Sequence, residues 1–180
     1  DTIRSITDTV LSSDMSETVI DEKETIYFAS LVETYPDDPG LLLFLLMNFV
    51  TLKPGDFLYV SPGVTHAYLR GNVVEITSNS DNVIRCGLTP KHVNVHEFLS
   101  IASFVSEQPQ IQTPAESVHT YESPTPFTLT RLNLNEDFEA TLQGPEILIS
   151  TQNNFTIANK SENSFHAVSY THLRAHETVL

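Results

Sequence analysis

Basic side chains are scarce in this 180-residue chain. Nine Lys and Arg stand against 23 Asp and Glu, a formal net charge of −14. Phosphate binding needs a basic face that releases counterions, so a nucleic-acid binder is excluded. Docking on an anionic membrane surface is disfavoured for the same reason. The carboxylate surplus itself reads as a solubility feature. Cysteine is nearly absent: Cys86 is the only one, so there is no internal disulfide and no cysteine zinc knuckle. Any metal must be held by His and carboxylates, and the composition suits a reducing cytoplasm. Long apolar runs are missing too. The longest, Leu41 to Val50, is half of the ~20 residues a membrane span needs. No secretory signal, fixed-period repeat, Walker loop, G-x-G-x-x-G, nucleophile elbow or H-E-x-x-H occurs. The first residue is Asp1 rather than Met, and the chain is read as an internal segment.

What is present is a 40% apolar chain, too apolar for disorder. Residues 1–35 read as helical. Ile3, Ile6 and Val10 lie near one face. Tyr27, Phe28, Leu31, Val32 and Tyr35 form a stripe behind an Asp21-x-x-Glu24 start signal, and Pro36, Pro39 and Gly40 end it. Leu41 to Val50 reads as a buried strand, with a helical start as the alternative. Short strands then follow at Phe57–Val60, His66–Leu69 and Val73–Thr77, between turns at Pro54-Gly55, Ser61-Pro62-Gly63 and Arg70-Gly71. Val95 to Val105 reads as a helix with Phe98, Leu99, Ala102 and Val105 on one face. Residues 106–126 carry four prolines and read as a linker or surface crossing. Strands are expected again at 127–134, 146–150 and 155–158.

Chemistry concentrates in two segments. In P-G-D-F-L-Y-V-S-P-G-V-T-H-A-Y-L, residues 54–69, two Pro-Gly turns frame a strand and deliver His66 onto the next one. Strand alternation places His66 and Tyr68 on one face and Ala67 on the other. An inward imidazole on a rigid strand suits metal ligation. The alternative is a core histidine satisfied by a hydrogen bond, and the flanking Pro-Gly pattern favours the ligand. The second segment is V-E-I-T-S-N-S-D-N-V-I-R-C-G-L-T-P-K-H-V, residues 74–93.

Together, H-A-Y-L-x-G followed by E-x-x-x-x-S-D-N-V-x-R-x-G-L-T-P-K resembles the type I mannose-6-phosphate isomerases, densely over residues 41–105 and loosely elsewhere. The resemblance implies a mainly β fold: the downstream half of a catalytic cupin, a β-barrel or jelly roll, with an N-terminal helical segment and a partial second β domain. It implies boundaries of 1–36 for the end of a helical region, 37–105 for the cupin half, 106–126 for the crossing and 127–167 for the partial C-terminal β domain. Residues 168–180 depart from the family and are read as a non-native tail. The implied reaction is the zinc-dependent interconversion of mannose 6-phosphate and fructose 6-phosphate, with a sugar phosphate as the small-molecule partner. His66 matches one Zn2+ ligand. The family's other ligands, a Gln-x-His pair and a Glu, have no counterpart in this sequence, so the chain is expected to be inactive alone. Arg85 matches the active-site arginine, Glu75 an acidic pocket residue, and Tyr68 and Lys91 further pocket positions. Thr65 and Cys86 depart from the usual Pro and from Ala or Gly.

These residue types suit an aldose–ketose isomerisation. A guanidinium at Arg85 can stabilise an enediolate. Glu75 can shuttle a proton or orient His66 or Arg85, and Lys91 can meet a phosphate as a point charge. Asp81 and Asn82 read as loop-shaping residues. The pairs His92/His96 and His172/His176 have the spacing of helical zinc ligands. The first straddles a helix start and the second lies in the tail, so both are set aside. The alternative function is a non-catalytic cupin-like module that binds sugars or regulates.

Overall fold

The computed structural model describes residues 2–13, 20–80, 82–141, 144, 146–158, 164–167 and 172–174. The chain divides into two compact units, with the boundary in sequence between Leu132 and Asn133.

The first unit begins with α1 (Thr2–Ser12), α2 (Glu22–Thr34) and α3 (Gly40–Leu46). The start signal of α2 closes as a complete capping box. The Glu24 amide donates to Asp21 Oδ1 at 2.8 Å, and the Asp21 amide donates to Glu24 Oε2 at 2.7 Å. The three helices bury one apolar cluster. Phe28 and Leu41 are fully enclosed, Ile20 is buried beside them, and Ile3, Val10, Leu31, Val32, Phe44, Leu45 and Leu88 pack around them. On α1 the inward position between Ile3 and Val10 belongs to Thr7, not Ile6. Thr7 is buried because its hydroxyl donates back to the Arg4 carbonyl at 2.9 Å, while Ile6 faces outward.

Leu41 to Val50 forms α3 and then an extended tail, correcting the buried strand. Leucine is a strong helix former, and no β-branched residue interrupts the run before Val50. Asp38 and Pro39 start the first turn, with their carbonyls accepting from Leu41 and Leu42. The helix is not enclosed on all sides: Leu41 is buried, whereas Leu46 is 82% exposed. Its extended tail is fastened to α2, with Phe49 against Tyr27 at 5.7 Å and Lys23 reaching Thr51 Oγ1 at 2.8 Å.

Both Pro-Gly turns form. At Lys53–Asp56 the Asp56 amide donates to the Lys53 carbonyl, and Gly55 takes φ +93°, the left-handed position such a turn reserves for glycine. The turn leads into β1 (Phe57–Leu58), which pairs antiparallel with β2 (Ile111–Gln112). The second turn receives the end of α4 (Val95–Ile101): the Ser103 amide donates to the Gly63 carbonyl at 2.8 Å. That bond draws the chain out of helix, so α4 stops short of the expected Val105. β3 (Val118–Tyr121) pairs antiparallel with β4 (Leu129–Leu132). Thus β2 and β3 arise within 106–126, the stretch expected to be a linker or surface crossing. Tyr121 joins the two ladders, stacking on Phe57 at 4.9 Å and donating its hydroxyl to the Gly55 carbonyl.

His66–Leu69 and Val73–Thr77 are not strands. Alternating β-formers specify an extended backbone, but a strand also needs a ladder partner, and none pairs with them among the described residues. In the second unit, β5 (Ile147–Ile149) pairs with β8 (His172–Arg174), and β6 (Phe155–Ala158) pairs with β7 (Ser164–Ala167), all antiparallel. β8 falls within the expected tail. The fold is therefore mixed helix and strand with two-stranded sheets, and the described residues contain no closed barrel.

Two outcomes follow. Truncating the enclosed Phe28 ring to Ala removes the centre of the helical cluster and is expected to cost about 3–5 kcal/mol, measured as a lowered guanidinium midpoint. Asp56 accepts from the Lys53 amide and the Thr113 hydroxyl, both at 2.8 Å, and these bonds to its charged form hold its pKa below the ordinary 3.8. Its stabilisation is complete above that value and is lost as pH falls through the lowered folded value. Thermal unfolding followed from neutral pH into that acid window should therefore decline less steeply in Asp56→Asn than in the parent.

Candidate functional site

The extended segment after the second Pro-Gly turn carries His66 and Tyr68 two residues apart, on the same side as alternation requires. Their rings meet edge to face at 6.0 Å. The His66 Nδ1 lies 2.9 Å from the Val64 carbonyl. A carbonyl can only accept, so Nδ1 is the donor in that contact and Nε2 is the ring nitrogen left for another partner. The chain bends at Arg70-Gly71 and returns, so that the Tyr68 hydroxyl donates to Glu75 Oε1 at 2.9 Å. His66, Tyr68 and Glu75 thus form one contiguous cluster. It is exposed, with Tyr68 63% accessible. Partial burial of the phenol pushes the Tyr68 pKa above 10.0, and the hydrogen bond to Glu75 and its negative charge push the same way. Glu75 is therefore bonded to Tyr68, a partner the sequence reading did not assign to it.

Arg85 and Lys91 sit on the next loop. Arg85 is half-buried, and among the described residues no hydrogen bond or ion pair engages its guanidinium. Lys91 is exposed and its amide donates to Thr89 Oγ1 at 3.2 Å. No bond links either residue to the His66–Tyr68–Glu75 cluster. Asn82 is exposed, and Asp81 lies outside the described residues.

The loop between Arg85 and Lys91 is held from behind. Leu88 takes φ +51°, which costs a non-glycine residue about 1–2 kcal/mol. Such a conformation persists only where the surroundings over-determine it. Here the Leu88 side chain packs on the helical core and its amide donates to Asp38 Oδ2 at 3.0 Å. The other oxygen, Oδ1, accepts from the Gly40 amide at 2.7 Å. Sequence reasoning missed Asp38, reading P-D-D-P-G only as a helix end. The available signal was the carboxylate placed directly before Pro-Gly, a residue type that bonds nearby backbone amides. Cys86, beside Arg85, is half-buried, and its thiol pKa is raised chiefly by that burial.

A zinc ion needs three or four protein ligands. Among the described residues no three His, Cys, Asp or Glu side chains lie close enough to hold one. His66 offers one imidazole nitrogen, so the residues present do not by themselves form a zinc site. His92 lies outside α4, which begins at Val95, so it shares no helix with His96. Of the other pair, His172 is on β8 and His176 lies outside the described residues. No helix of the described residues is long and apolar enough to cross a membrane.

Mannose-6-phosphate isomerases stand among the curated relatives. The mannose-6-phosphate isomerase of Salmonella typhimurium is 46% identical over 72 residues, 40% of this chain and 18% of the relative. That of Rattus norvegicus is 31% identical over 138 residues, 70% of this chain and 33% of the relative. That of Bos taurus is 35% identical over 112 residues, 58% of this chain and 26% of the relative. The chain thus spans a third or less of the length of these relatives. No family model and no solved structure matches. The relatives support the resemblance drawn from the H-A-Y-L and R-x-G-L-T-P-K motifs.

The tyrosine–glutamate bond has a spectroscopic consequence. In a phenol absorbance titration, taken as the difference between the parent and Tyr68→Phe, Tyr68 should ionise above pH 10.0. Glu75→Gln should bring that transition part of the way down, because the charge leaves and the burial stays.

Proposed function

We propose, from the premise that this chain is homologous to part of the type I mannose-6-phosphate isomerases, that it carries a share of an aldose–ketose isomerase site. The substrate is a sugar phosphate, mannose 6-phosphate converting to fructose 6-phosphate and back. Supporting this reading is the contiguous His66–Tyr68–Glu75 cluster, which falls within residues 41–105, where the motif match is densest.

The residues divide the work by chemistry. Shifting a carbonyl from C1 to C2 removes a proton beside a carbonyl and leaves an enediolate. Arg85, a planar cation with no hydrogen bond or ion pair at its guanidinium among the described residues, is suited to stabilise that charge. Glu75 holds the Tyr68 phenol through its hydroxyl proton, so the pair orients a polar edge toward the sugar, and Glu75 retains a second carboxylate oxygen for proton exchange. Lys91 is the cation available to the phosphate. Zinc belongs to the same proposal: His66 would contribute its Nε2 as one ligand, and the bound ion would polarise the sugar oxygens. We further propose a cupin setting for this cluster and a cytoplasmic location. With one matching ligand, the 180-residue chain is expected to show no turnover by itself.

The test is a chimera in which residues 37–105 replace the matching segment of the Salmonella typhimurium isomerase. It should bind zinc and convert mannose 6-phosphate. Within it, Arg85→Ala should lower kcat by about 10²–10³ with zinc content unchanged, the usual cost of one lost charge-stabilising donor. His66→Ala should lose zinc and activity together. A folded, zinc-loaded chimera without turnover would overturn the reading and favour a sugar-binding module.

A further inference from the structure

We propose that Asp38 is a positioning residue that clamps the Arg85–Lys91 loop onto the helical core. The inference deepens the isomerase reading and rests on it for its consequence in turnover. Its physical basis is local. One carboxylate spans two chain segments fifty residues apart, taking the Gly40 amide on Oδ1 at 2.7 Å and the Leu88 amide on Oδ2 at 3.0 Å. Amides bonded to a charged acceptor make the stronger class of hydrogen bond.

Steric fit at the same point is tight. Gly87 takes φ +147°, and a Cβ there would lie 2.6 Å from Asp38 Oδ1 and 3.0 Å from the Gly40 Cα. A Cβ on Gly40 would in turn meet the Leu88 Cγ at 2.8 Å. The two glycines allow backbone to approach backbone, and Asp38 fills the remaining gap with acceptors. The clamp holds Leu88 in its left-handed conformation, three residues after Arg85 and three before Lys91. Both candidate cations are thereby carried on a loop whose middle cannot slide relative to α3.

Asp38 touches no substrate in this scheme. It acts by fixing where the Arg85 guanidinium is offered, so its loss should lower kcat, and any rise in KM comes from Lys91, the phosphate cation carried on the same loop. A shift in position weakens a transition-state contact more than uniform binding.

The clamp is tested on the full chain by amide exchange and by the labelling rate of Cys86 with a thiol-reactive disulfide. In Asp38→Ala the Leu88 amide should exchange about 10-fold faster or more, while the α2 amides keep their protection. Asp38→Asn should fall between the two, since its carbonyl oxygen replaces only one of the two accepting oxygens and its NH2, a donor, stands in for the other. Removing the Asp38 charge also eases Cys86 ionisation, so Gly87→Ala supplies the labelling test with that charge in place. Its Cβ must push the loop off Asp38, and Cys86 should label several-fold faster. Unchanged Leu88 exchange in Asp38→Ala, or unchanged labelling in a folded Gly87→Ala, overturns the clamp. Should Asp38→Ala unfold, Asp38→Asn and Gly87→Ala decide.

In the chimera, Asp38→Asn is expected to reduce kcat about 10-fold, as for loss of a transition-state contact, with any rise in KM coming from the displaced Lys91. A fall in affinity alone overturns the positioning role. A chimera without turnover before any substitution instead defeats the isomerase reading, and the exchange and labelling results still decide on the clamp.

Discussion

In the first unit the two bonds made by the Asp38 carboxylate tie the start of α3 to the loop after Arg85. Of the two, the Leu88 bond joins the segment after α2 to the loop after Arg85, beside the Leu88 packing and the close approach of Gly87 to Gly40. One bond is local, to the Gly40 amide two residues on, and the other reaches the Leu88 amide fifty residues away; they satisfy the amide that opens α3 as well as one in an unfavourable backbone conformation. One side chain therefore does the work of a cap for a helix and of a brace for a loop. The nearby Arg4–Asp37 pair, at 3.1 Å but with both side chains well exposed, is a weaker tie, of the kind worth about 0–1 kcal/mol.

The packing explains why that brace matters. Enclosed apolar volume is concentrated among α1, α2 and α3, and residues 64–80 and 82–83 contribute no buried side chain to it. The candidate site residues lie on this thinly supported stretch and on the loop after it. Local order there comes from polar contacts instead: the Pro-Gly turns, the Val64 carbonyl at His66, the Glu75 carboxylate at Tyr68 and the Asp38 clamp. A site held by hydrogen bonds more than by burial is sensitive to single polar substitutions.

Legibility in the sequence followed the range of the interaction. The capping box at Asp21 and Glu24 and both Pro-Gly turns are decided within four residues, and they formed where the residue pattern placed them. At Leu41 to Val50 the helical start formed and the buried strand did not: a leucine run has no period, and the choice between helix and strand fell to propensity and to the turn begun at Asp38. At His66–Leu69 and Val73–Thr77 the extended backbone was readable, but a ladder depends on a neighbour that alternation does not name. The proximity of His66 and Tyr68 followed from their spacing. The Tyr68–Glu75 bond and the Asp38 clamp did not, since each needs the path of the chain between its ends.

The span from Tyr68 to Glu75 sets a length as well as a contact. Seven residues, folded back at Arg70-Gly71, bring a phenol and a carboxylate to hydrogen-bonding distance. Extended backbone points alternate residues to opposite sides. One residue added or removed between them would turn the carboxylate away even though every side chain of the motif was still present. For this cluster, the spacing of the letters carries as much chemistry as the letters themselves, and an insertion at the bend is a more drastic change than many substitutions beside it.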